Sequence, residues 1–137
     1  MQVERKECQK IDEVIDFFKG LRDSPSQVVQ IFSAKSESIN KEIISAFNQF
    51  LPLSTLMGSS AEEVIFGSRV SLDKITAAAV RFEKSSFKLL RTESNSRANA
   101  KKIINEIEAD SRAVIIFSDD QSNNGDQLVE KLNELKS

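Results

Sequence analysis

A chain of 137 residues, 39% hydrophobic and 29% charged, is long enough to bury a core and has the composition of one folded domain. Its net charge of -2 comes with scattered basic residues, which excludes the basic face that a nucleic-acid binder needs. With no His and a single Cys, it also excludes Ser-His-Asp and Cys-His catalysis and leaves zinc without its usual ligands, so an enzyme would have to work with carboxylates, Lys, Ser or an oxygen-bound cation.

The first ten residues, "MQVERKECQK", are charged and lack the apolar stretch of a signal peptide. Cys8 stands alone and reads as an incidental exposed thiol, and no intrachain disulfide is possible; a reducing, cytoplasmic setting is expected. Residues 11–21 place Ile11, Val14, Ile15, Phe18 and Leu21 at helical spacing, and Pro25 bars continuation. "QVVQIFS" (27–33) is β-branched and apolar, which predicts a buried strand. Residues 38–50 return to helical period through Ile39, Ile43, Ile44, Phe47 and Phe50, with Ser36 or Ser38 as N-cap.

"LPLSTLMG" predicts a strand ending at Gly58, and the period then changes to two. "EEVIFGSRV" predicts a short hairpin around Gly67 and Ser68, and 74–82 and 86–92 predict two further strands. A helix follows, with Ala100, Ile103, Ile104 and Ile107 on one face. "RAVIIFSDD" has the strongest strand character of the chain, and a last helix turns Leu128, Leu132 and Leu135 inward. The order α-β-α-β-β-β-β-α-β-α implies an α/β fold whose mixed sheet is parallel at its ends, antiparallel in the middle and flanked by helices. Without repeats or linkers, residues 1–137 read as one domain. The longest apolar runs, such as "AVIIF", are far too short to cross a bilayer.

Ligands in open α/β sheets settle where strands end and helices begin, and two loops qualify. In "GSSAEE", Gly58 permits close backbone approach, Ser59 and Ser60 offer hydroxyls, and Glu62 and Glu63 offer carboxylates. The same spacing fits a capping box, Ser59 with Glu62 or Ser60 with Glu63, at the start of a helix. In "SDDQSNNGD", Asp119 and Asp120 follow a strand, and Asn123 or Asn124 suits the cap of the last helix. That loop lacks the alternating oxygen ligands of a calcium site, so no metal and no cofactor are expected.

The stretch from "VVQIFSAKSES" to "ITAAAVRF" resembles the N-terminal part of a FIST domain: a strand, a helix, then a Gly-Cys-Ser/Thr-Thr-Ala-Gly-Glu-Ile type of motif and an apolar strand. Gly58, Ser60, Ala61 and Glu63 can be laid on that motif. Ser59 stands where Cys is common and Glu62 where Gly is frequent, and in a loop that binds through its backbone the Glu62 side chain would narrow the pocket or change its charge preference. "RAVIIFSDDQSNNGDQLVEKLNEL" is similar to the family's later strand, polar loop and helix. The resemblance implies a bacterial cytoplasmic sensory module that binds a small molecule, an amino acid being the usual suggestion. It also implies a fragment of a longer signalling protein with an output such as a GGDEF, EAL or histidine kinase domain. Gly58, Ser59, Ser60, Glu62 and Glu63 would form one wall of the ligand site, and Asp119, Asp120, Asn123 and Asn124 the other. Catalysis, nucleic acid and membrane are not expected, and homo-oligomerisation is compatible with this role. The alternative is a protein-interaction or dimerisation domain without a small ligand, with an exposed apolar patch on helix 11–21 or an edge strand.

Overall fold

Helical spacing at the start of the chain forms α1 (Ile11–Gly20), with Asp12 and Glu13 in its first turn and Lys19 in its last, each of the sign the helix dipole favours. The apolar run that follows forms β2 (Gln27–Ser33). Ser36 then caps α2 (Glu37–Phe50), its side chain accepting from the Ile39 N–H. Next come β3 (Thr55–Ser60), β4 (Val64–Phe66), β5 (Arg69–Ser71) and β6 (Ile75–Arg81). The remaining elements are α3 (Arg97–Glu106) and α4 (Gly125–Lys136). In this computed structural model the described residues are 1–91, 97–107, 111–117 and 125–136. They fall into two units, Met1–Phe87 and Lys88–Ser137.

The first unit contains a strand absent from the expectation, β1 (Gln2–Cys8). The four-stranded sheet runs β1-β6-β2-β3, with β2 parallel to β3 and β6 antiparallel to both β1 and β2. This is the mixed α/β sheet that the pattern of elements implies. Alternation puts Val29 and Ile31 of β2, Ile75, Ala77 and Ala79 of β6 and Cys8 of β1 on one face. Val14 and Phe18 of α1 and Ile43 and Phe47 of α2 close over that face, Phe18 and Phe47 meeting edge to face at 5.6 Å. The apolar stripe of α1 is therefore spent on the core and is not a free docking face. Cys8, 0% exposed at the end of β1, belongs to the same core and is not the exposed thiol expected.

A polar clasp fixes where the parallel strands begin. Asp23 accepts from the Leu53 N–H, the Ser54 N–H and the Ser54 hydroxyl, the last at 2.8 Å, which ties the turn before β2 to the turn before β3. Burial pushes the Asp23 carboxyl up, but those hydrogen bonds outweigh it and hold it below its ordinary value.

In the second unit, α3 and α4 pack through Ala100, Ile103 and Leu128, with Ile107 and Leu132 partly buried. Of the strands predicted at 86–92 and 112–120, the described residues 86–91 and 112–117 carry no strand, and Val114 and Ile115 are exposed. A strand needs a paired neighbour as well as an apolar run, since its N–H and C=O groups are satisfied only across a ladder.

Candidate functional site

Gly58, Ser59 and Ser60 are the last three residues of β3, at the edge of the sheet and at the carboxyl end of the parallel β2–β3 pair. Gly58 lies level with Ile31, and a Cβ built on it would collide with the Ile31 carbonyl oxygen. The absence of a side chain thus lets two backbones meet. Ser59 donates from Oγ to its neighbour Ser60 O at 2.8 Å. Ser60 lies level with Ser33, and the Ala61 N–H donates to Ser33 O, which extends the ladder one residue past the strand.

No helix follows. The chain passes through exposed Glu62 and Glu63 into β4, so the capping-box reading of both Ser–Glu pairs is overturned. The hairpin expected around Gly67 is present instead, as β4 and β5. Asp119, Asp120, Asn123 and Asn124 lie outside the described residues.

The strand ends gather further groups that spacing alone did not single out. Ser33 Oγ accepts from the Lys35 N–H, and Lys35 Nζ pairs with Asp73 at 2.9 Å, its side chain only 15% exposed. Ser36 caps α2 beside them, so a helix N-terminus with its partial positive charge faces the same end of the sheet. The signal was available: "SAKSES" is the strand-to-helix turn after β2, and the strand-end rule applies to it as much as to "GSSAEE".

A second cluster holds the hairpin at this end. Glu7, facing away from the helices, accepts from Lys74 Nζ at 3.0 Å and from Arg69 Nη2 at 3.1 Å, and Arg5 stacks over Phe66 at 5.9 Å. The Lys74 hydrogen bond, opposed by burial and reinforced by Arg69, holds the Glu7 carboxyl below its ordinary value. Among the described residues no three Cys, Asp or Glu side chains converge as a metal site, and no helix is long and apolar enough to cross a membrane.

The FIST N domain family model matches residues 27–137. The chain belongs to the FIST family. The match runs from the first residue of β2 to the end of the chain and takes in the 58–63 loop. FIST domains are sensory domains of signal transduction. No curated protein and no solved structure matches this FIST chain significantly.

Proposed function

We propose that this FIST N domain is a cytoplasmic, non-catalytic input module of a bacterial signal-transduction protein that senses a small ligand, an amino acid being the first class to test. The observation that carries the reading is the placement of 58–63 at the carboxyl ends of parallel β2 and β3, beside the capped N-terminus of α2. There a carboxylate would find Lys35 and the helix N-terminus, and an ammonium group would find Glu62 or Glu63. Ligand binding would favour one arrangement of the domain over another and so bias an attached output such as a GGDEF, EAL or histidine kinase domain.

A thermal-shift screen against the common amino acids tests this. A ligand at 100 times its dissociation constant adds about 2.7 kcal/mol, several degrees for a domain of this size. Ser60→Ala and Glu63→Gln should each weaken binding of the hit by about three- to a hundredfold, the range for losing one neutral or charged hydrogen bond. A hit whose affinity neither substitution changes would place the ligand elsewhere.

One observation favours the protein-interaction reading as the rival. Ile65 and Val70 lie opposite each other on the hairpin at 69% and 59% exposure, next to Leu72 at 71%. A flat ligand screen together with a mass that rises with concentration would favour that reading.

A further inference from the structure

Among the described residues β5 pairs only with β4, in a sheet of two strands, so one of its edges is open. The pair that flanks a two-residue turn, here Phe66 and Arg69, exchanges hydrogen bonds, and along the ladder such pairs alternate with pairs that do not. Val64 and Ser71 therefore exchange them, whereas Ile65 and Val70 do not, and the N–H and C=O of Val70 point away from β4. Placement keeps that side clear. β4 lies against β6, while Arg69 and Ser71 reach Glu7 on β1, the edge strand of the larger sheet. The outer side of β5 thus looks past the rim of that sheet.

The residues along this edge are complementary to themselves. "RVSLD" (69–73) reads basic, apolar, Ser, apolar, acidic. A half rotation about Ser71 brings up an antiparallel copy with Val70 opposite Leu72 and Arg69 opposite Asp73, once on each side of the axis. In this register the outward N–H and C=O of Val70 meet Leu72 of the second copy. Val70, Leu72 and Ile65, all exposed, then form one apolar row across the axis. Arg69 uses Nη2 for Glu7 and Asp73 uses Oδ1 for Lys35, so each keeps atoms for a second partner, with side chains 68% and 79% exposed. The chain bends at Leu72 and Asp73, which ends the backbone pairing there and keeps the contact short. The other free edges lack this match. Rotation about Arg5, the middle residue of β1, sets that cation against itself, and β3 carries no charge to select a partner or a register.

We propose that β5 is a homodimerisation edge, on which two copies of this chain pair antiparallel about Ser71 and join their hairpins into one continuous sheet. A contact this short belongs to the weak, concentration-dependent class of interfaces. It gives the exposed hairpin patch an occupant, and it stands whether or not the 58–63 loop binds a ligand.

The test is the mass of the whole chain by analytical ultracentrifugation, over about a hundredfold range of concentration and without ligand. The expected result is a mass that rises towards that of a dimer, less so at high salt, which screens the Arg69–Asp73 pairs. Val70→Lys should stay monomeric throughout, as should Leu72→Lys, which lies beyond the strand and leaves the hairpin's own ladder intact. Arg69→Asp and Asp73→Arg should each weaken self-association by about fivefold or more, since each sets like charges against one another on both sides of the axis. An equal mixture of those two variants should recover it, because only the mixed dimer has opposite charges at both ends. A mass that does not change with concentration overturns the proposal. So does association that survives both lysine substitutions, or a mixture that associates no better than its components.

Discussion

Asp23 is one carboxylate holding two chain reversals together, and its ionisation is tied to folding. Its folded-state pKa lies below the unfolded value, so its contribution is complete above the ordinary value of 3.8 and is lost as the pH falls through the lower folded-state value. Glu7 behaves in the same sense, from an ordinary value of 4.5. Stability should therefore decline below about pH 4.5, and Asp23→Asn should lower stability at neutral pH while flattening part of that acid limb. Urea midpoints measured from pH 7 to pH 3 on both proteins check this; parallel curves would show that Asp23 is not tied to folding. Gly58 makes a complementary point. Its sequence context suggests room for a ligand, whereas its lack of a Cβ is used against the Ile31 carbonyl oxygen.

At the scale of elements, the β4–β5 hairpin forms a two-stranded sheet of its own beside the four-stranded one. Its turn depends on Gly67 at φ 61, a conformation that costs other L-residues about 1–2 kcal/mol. Beyond the turn it is held by the buried side chain of Val64, by the Glu7 contacts to Arg69 and Lys74 and by Arg5 over Phe66. Gly67→Ala should thus speed amide exchange across residues 64–71 by about five- to thirtyfold and leave β2 and β6 unchanged. Equal acceleration in all three strands would mean that the hairpin opens only with the sheet.

The same elements show what the sequence makes legible. α1, β2, α2 and β6 follow directly from their apolar periodicity, because each buries one face or both. β1 escapes that signal: its residues facing the helices are Gln2, Glu4, Lys6 and Cys8, and only the last is fully buried. It is an edge strand, and charges on edge strands guard against unwanted pairing, which removes the pattern by which strands are recognised. Residues 112–117 are the converse, an apolar β-branched run without strand pairing. The helix cap expected after Ser59 or Ser60 failed for a related reason. Spacing of Ser and Glu encodes a cap only if a helix follows, and the short apolar run Val64, Ile65 and Phe66, closed by Gly67, already argues for a strand. Of the candidate site, the 58–63 loop was legible from the strand-end rule; Lys35 and Asp73, joined across 38 residues, were not.

For the molecule as a whole, the family match and the folded unit have different boundaries. The match begins at Gln27, yet Cys8, Val14 and Phe18, all 0% exposed, come from the residues before it. Each buried Val or Phe is worth about 1.5–3 kcal/mol. Removing residues 1–26 also takes β1 from β6 and α1 from α2. Against a total stability of about 5–15 kcal/mol for a domain, that loss is decisive. A chain of residues 27–137 should show no cooperative thermal transition by circular dichroism, whereas the full chain should show one. A sharp transition in the shorter chain would mean that the matched residues form a self-sufficient core.

The position of Cys8 has a further consequence, for measurement. Burial pushes its thiol up to about 11, so at neutral pH about one molecule in ten thousand carries a thiolate there. An alkylating reagent can reach this sulfur only when β1 leaves β6 or α1 lifts from the sheet. As the chain has no second cysteine, every labelled molecule records one such event. The labelling rate is thus a stopwatch for the opening of the first unit, readable by mass alone and without any engineered reporter.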